Sequence, residues 1–231
     1  MEKELTKTRE DIERITRHDL KSPLNLIINY PKFIKKGDNL TQKQIEQLDR
    51  ICTAGNKLLN MINISLDLYK MEQGSYQFYP WPVDIMKVID DIVQDNRNLI
   101  HLQHAKIEIS INGNLATEDI VFEINGEKLL FYSMLANLIK NSIEASPKNE
   151  TIAIQLSNTS NLSISINNQG AVPEEIRETF FEKYTTSGKK EGTGLGTYSA
   201  KLIAETMGGR ISMISSEEKG TTVTITFPKV I

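Results

Sequence analysis

Along the first third of the chain, Ile45, Leu48, Cys52, Gly55, Leu59, Ile62, Leu66 and Tyr69 recur at alternating spacings of three and four. A seam of this kind, kept up for more than three heptads, predicts a helix that packs lengthwise against other helices. Residues 2–74 read as two long helices with a break at Lys36-Gly37-Asp38-Asn39, and Thr41 followed by Gln44 has the pattern of a capping box at the start of the second. One hairpin buries such a seam poorly, whereas two copies in a four-helix bundle bury it fully. The segment is therefore expected to form a homodimer.

The pattern changes after Gly74. Tyr79-Pro-Trp-Pro82 places two prolines within three positions and marks a boundary, with Trp81 expected as a core anchor at the junction. Beyond it, Asp84 is placed to cap a helix that carries Ile85, Val88, Ile89, Ile92, Val93 and Leu99 on one face. Alternation of Ile107, Ile109 and Ile111 predicts a half-buried strand, and residues 120–124 predict another that ends at Asn125-Gly126. A helix is expected over 127–145, stopped by Ser146-Pro147, and another over 197–207. Strand pairs are expected at 151–158 with 162–168, and at 210–215 with 221–227. The implied class is α+β in two domains. Residues 1–76 form a helical hairpin that makes a dimeric four-helix bundle. Residues 77–231 form an α/β sandwich, a mixed sheet with helices on one face.

Composition narrows the partners. In 231 residues the net charge is −3, which gives no electrostatic case for nucleic acid. A single cysteine, Cys52, excludes an intramolecular disulfide and fits a reducing compartment; with only three histidines a structural zinc site is not expected. No stretch approaches the ~20 apolar residues of a membrane-spanning helix. This segment is expected to be soluble and cytoplasmic, without membrane contact.

Two stretches carry chemistry in the C-terminal part. Gly192-Thr193-Gly194-Leu195-Gly196 stands just ahead of a helical pattern. Glycines let the backbone approach a ligand closely, and the N–H groups that open a helix face an anion, which suits polyphosphate. Upstream, Asn137 and Asn141 lie four apart on one helix face in an otherwise apolar row. Carboxamide oxygens at that spacing can hold a hard cation such as Mg2+. The N-terminal helix carries Arg14-Ile-Thr-Arg-His-Asp-Leu-Lys-Ser-Pro-Leu-Asn25. There, His18 offers an imidazole and Asp19 a carboxylate that can take its proton or fix its tautomer, while Pro23 loosens the helix one turn on.

The order of these motifs resembles the ATP-binding domain shared by histidine kinases, gyrases and certain chaperones, and the His18 segment resembles the phosphoacceptor box of sensor histidine kinases. The resemblance covers essentially the whole chain. It implies that residues 1–76 are the dimerisation and phosphoacceptor domain and residues 77–231 the catalytic ATP-binding domain. His18 is then the phosphorylated residue, Asp19 its neighbouring acid, Asn141 the Mg2+ ligand and Asn137 its companion. Gly192, Gly194, Leu195 and Gly196 close over the nucleotide. Residues 180–192 resemble the phenylalanine box and ATP lid, with Lys183 and Lys189 as candidates for the phosphates. Ser22, four residues after His18, stands where the family often has a residue that orients water for dephosphorylating the partner.

Two departures bear on the chemistry. Hydrolysing relatives carry a Glu where this chain has Asn137, so His18 is favoured over water as acceptor, although Glu144 leaves water activation open. Asn168 and Gly170 align with the family's Asp-x-Gly-x-Gly loop, here one residue shorter and without its second glycine. Asn168 stands for the Asp that accepts from the adenine amino group, and Thr221 for a Thr that supports that contact. A neutral acceptor forms the weaker hydrogen bond. The implied function is an ATP- and Mg2+-dependent histidine autokinase of a two-component system. It would pass the phosphoryl group from His18 to an Asp of a response-regulator receiver domain and work as the cytoplasmic part of a longer sensor. A second reading is a catalytically silent dimeric scaffold that binds nucleotide weakly, and a third is a kinase of protein serine.

Overall fold

The computed structural model describes residues 20–37, 39–117, 120–186 and 194–228. The chain divides into two compact units, Met1–Lys70 and Met71–Ile231.

The first unit is helical. Helix α1 is described over residues 20–34 and α2 runs Gln42–Glu72. The expected capping box opens α2: Gln44 N–H donates to Thr41 Oγ1 at 3.3 Å, and Thr41 N–H donates to Gln44 Oε1 at 2.8 Å. Two orphan amides are thus satisfied reciprocally. Leu24 and Ile28 of α1 are buried, and Cys52 Sγ reaches the Ile28 carbonyl at 3.3 Å, so the two helices meet along the predicted seam. Within one chain the seam is only half covered. Leu20, Leu26, Ile27, Tyr30, Phe33, Ile34, Ile51, Leu58 and Met61 stay exposed, an apolar surface larger than scattered single residues would give.

The second unit is built on a mixed six-stranded sheet. Its strands are β2 (Lys106–Ile111), β3 (Asn114–Leu115), β5 (Thr151–Ser157), β6 (Leu162–Asn168), β7 (Arg210–Ser216) and β8 (Gly220–Phe227), in the order β3-β2-β5-β6-β8-β7. Among the described residues only β2 and β5 pair in parallel. Alternation decides which face is covered. Ile152, Ile154 and Leu156 of β5, Ile164 and Ile166 of β6, and Val223, Ile225 and Phe227 of β8 are buried. The residues between them are mostly Ser, Thr, Asn and Gln on a more open face, joined there by contacts such as Ser165 Oγ to Thr224 Oγ1 at 3.0 Å. The covering layer is α3 (Ile85–Asp95), α5 (Lys128–Ala145) and α7 (Gly196–Thr206). Helix α5 is central: Leu130, Phe131, Met134, Leu135, Leu138, Ile139 and Ile143 are all buried. Each such side chain contributes roughly 1.5–3 kcal/mol by leaving water.

Three expectations are corrected. Trp81 is 73% exposed and not a core anchor. It opens a short strand, β1 (Trp81–Asp84), opposite Gly126, which has no side chain to pack against it. The strand expected over 120–124 is instead β4 (Glu123–Gly126), paired antiparallel with β1 in a separate two-stranded sheet. The helix capped by Asp84, whose Oδ1 accepts from Met86 N–H at 3.1 Å, stops before Leu99. Asn96 Nδ2 donates back to the Ile92 carbonyl at 2.8 Å, and a second helix, α4 (Arg97–Gln103), begins after it. One further turn, α6 (Glu174–Arg177), follows Pro173.

Candidate functional site

The polar positions of α5 face the start of α7. Asn137 Nδ2 donates to Ser199 Oγ at 3.0 Å, and Ser199 Oγ donates to the Gly196 carbonyl at 2.9 Å. A Cβ built on Gly196 would stand 3.7 Å from both Asn137 Oδ1 and Asn141 Nδ2. The two carboxamides predicted from their spacing therefore meet the last glycine of the run. Helix α7 opens with no side-chain cap at Leu195, which leaves its first N–H groups to another partner.

Gly194 shapes the entrance. Its φ is +65°, and a Cβ there would lie 2.5 Å from the Tyr184 backbone. That closeness lets Tyr184 N–H donate to the Gly194 carbonyl at 2.9 Å, which joins the two ends of the predicted lid. Phe180 and Phe181 stack edge to face at 5.0 Å beside its first end. Lys183, expected near phosphate, pairs with Glu72 at 2.7 Å and lies 4.8 Å above the Tyr198 ring. The Glu72 carboxylate holds the Lys183 ammonium above the ordinary lysine range. Burial, with the same carboxylate, raises the Tyr198 phenol.

At the other side of α5, Asn168 is 3% exposed at the end of β6 and its Nδ2 donates to the Gly170 carbonyl at 3.2 Å. Thr221 pairs with Asn168 across the sheet and donates to the same carbonyl at 2.7 Å. A Cβ on Gly170 would fall 2.0 Å from the Ala145 carbonyl, so only glycine lets this loop lie against the end of α5. Sequence reasoning missed Ser199, Ser215 and Glu72. Ser199 stands three positions after Gly196, which was a usable signal; the others come from strand and helix neighbours that spacing does not give.

His18, Asp19, Lys189 and Gly192 lie outside the described residues. Ser22 is exposed on α1. His101 and His104, with ring centroids 6.0 Å apart, line a separate cavity of about 450 Å3 at α4. Among the described residues no cluster of three metal-ligating side chains occurs, and no helix is long and apolar enough to cross a membrane.

Comparison with known proteins gives this geometry its setting. Residues 126–231 match the histidine kinase-, DNA gyrase B- and HSP90-like ATPases. Residues 8–74 match the His Kinase A (phospho-acceptor) domain. Together these are the two domains of a sensor histidine kinase core. This kinase core is 29% identical to the signal transduction histidine-protein kinase BarA of Escherichia coli K12 over 217 residues, which is 89% of the chain but 23% of BarA. It is 28% identical to the sensor histidine kinase YcbM of Bacillus subtilis over 239 residues, covering 98% of the chain and 75% of YcbM. Full-length ShkA in complex with AMPPNP shares the fold, with a TM-score of 0.64 at 17% identity over 96% of the chain and 47% of ShkA.

Proposed function

We propose that the protein is an ATP-dependent histidine autokinase of a two-component system, with residues 1–76 as dimerisation and phosphoacceptor domain and residues 77–231 as catalytic domain. The observation that carries the reading is the meeting of Asn137 and Asn141 with Gly196 at the opening of α7. Hydrogen-bonding amides and backbone N–H groups converge there, as a triphosphate requires. Asn141, with Asn137 beside it, fits Mg2+ through carboxamide oxygen, a hard ligand. When bound, the ion neutralises charge on the phosphates.

The nucleophile is a nitrogen of His18. Its bond to the γ-phosphorus forms as the bond to the bridging oxygen of ADP breaks, and Asp19 takes the imidazole proton or orients the ring. Gly192, Gly194, Leu195 and Gly196 enclose the phosphates, and Lys183 and Lys189 supply positive charge from the lid. Asn168, Gly170 and Thr221 hold the base. The exposed apolar faces of α1 and α2 support a homodimer through a four-helix bundle. The phosphoryl group then passes to an Asp of a response-regulator receiver domain, and in this reading Ser22 orients water for the separate hydrolysis of that aspartyl phosphate, which releases inorganic phosphate. The setting is the cytoplasm, as part of a longer sensor.

Incubation with γ-labelled ATP and Mg2+ tests the reading. An acid-labile, alkali-stable label that is lost in His18→Ala is the expected result. Nucleotide binding without any label would instead establish the scaffold reading, which the neutral Asn168 favours.

A further inference from the structure

Helix α4 adds little to the core. None of its seven residues is fully buried, and Leu102 is 67% exposed. A helix so short does not persist on its own propensity. It is fastened just past its end instead: Asn149 N–H donates to the Gln103 carbonyl at 3.0 Å, and Lys106 N–H donates to the Glu150 carbonyl at 3.1 Å. What α4 does supply is one wall of the cavity of about 450 Å3 that it shares with the last turn of α3.

The chemistry of that lining is one-sided. Val93, Ile100 and Ala105 are half-buried and give it an apolar surface. Its polar side chains are Gln94, Arg97, His101 and His104, with no carboxylate among them. The Arg97 guanidinium has no ion-pair partner among the described residues. Asp95, beside Gln94, is engaged by the Tyr132 hydroxyl. A permanent cation with a forked donor pair, next to imidazole N–H groups and an apolar surface, matches a carboxylate carried on an apolar body. The same guanidinium opposes a metal ion at the two histidines.

The helix stop points the same way. His104 ends α4 in the left-handed region, with φ +51°, and its N–H donates to the His101 carbonyl. Glycine is the usual residue there because a side chain adds strain. Here the position carries an imidazole that lines the cavity, 6.0 Å from the His101 ring and tilted 46° to it. Rings at such an angle leave an edge and a face for a third aromatic group.

We propose that the cavity between α3 and α4 is a second ligand site, which takes a small aromatic carboxylate. Arg97 grips the carboxylate, and Val93, Ile100 and Ala105 meet the ring system. The volume lies at the lower end of small-molecule sites, roughly 300–1,000 Å3, and suits a ligand of one or two rings. The site shares no residue with the nucleotide site and goes beyond the kinase reading without resting on it.

Amide NMR of the full chain titrated with 2-naphthoate tests this. Saturable shifts centred on residues 93–105 are expected, with a Kd of about 1 mM or below for a ligand of this size. The uncharged 2-naphthamide should bind roughly tenfold more weakly, and Arg97→Gln should cost naphthoate a similar factor, the loss of a charge-assisted bond. Mg-ATP affinity of Arg97→Gln, read by calorimetry, should stay at the wild-type value. His104→Gly, which relieves the left-handed backbone, should hold the thermal midpoint while weakening naphthoate. Equal binding of acid and amide, unchanged naphthoate affinity in Arg97→Gln, or shifts centred elsewhere would overturn the proposal. So would Zn2+ binding at His101 and His104 with no response to naphthoate. None of these outcomes bears on the nucleotide site.

Discussion

Asn137 and Ser199 tie the two helices of the site together. The Asn137 amide donates to the Ser199 hydroxyl at 3.0 Å, and that hydroxyl spends its own proton on the Gly196 carbonyl. The polarity of Asn137 is thereby set, with Oδ1 left on the side of Gly196. Ser199 is 4% exposed, so neither bond is shared with bulk water.

Ser199→Ala removes both bonds. Mg-ATP affinity should fall several-fold, the equivalent of about 1 kcal/mol for a hydrogen bond of this type. Ser199→Thr should retain most of it. Isothermal titration measures the change, and an unaltered affinity would separate Asn137 from the nucleotide.

Gly194→Ala places a methyl group 2.5 Å from the Tyr184 backbone in a left-handed conformation. The Tyr184–Gly194 bond cannot survive that contact. Autophosphorylation should drop by an order of magnitude or more, from backbone strain of ~1–3 kcal/mol at the lid. Circular dichroism should show the remaining fold intact.

The Glu72–Lys183 pair sets a pH dependence. Glu72 raises the Lys183 pKa above the ordinary 10.5. A lysine raised on folding contributes stability that is complete below its unfolded pKa and is lost as pH rises through the folded one. Glu72→Gln should therefore lower the thermal midpoint at pH 7, and the gap to wild type should close only above pH 10.5. Both groups face solvent, so the gap is small and shrinks with added salt. Thermal scans of both proteins across that range test the sign.

Ile139 is fully buried on the central helix. Ile139→Ala should destabilise the second unit by about 2–5 kcal/mol, the usual cost of such a cavity. Denaturant unfolding of the full chain should show this loss in the transition of that unit.

What the sequence determined by itself was local. Thr41 with Gln44, and Asp84 with Met86, announce helix starts because a cap is chemistry between residues two or three apart. The strands 162–168 and 221–227 are legible because alternation records one covered face. Asn137 and Asn141 share a helix face by spacing alone, and a glycine run before a helix announces an anion site. Tertiary structure decided the rest. Trp81 reads as a core residue until its strand is found to lie opposite Gly126. The polar row Asn168, Thr221, Ser215 exists only because β8 lies between β6 and β7 in this register. Lys183 meets Glu72 across more than a hundred residues. Periodicity fixes which way a side chain points along its own element, whereas its neighbours depend on which elements pack together, and that is settled by the burial of the whole core.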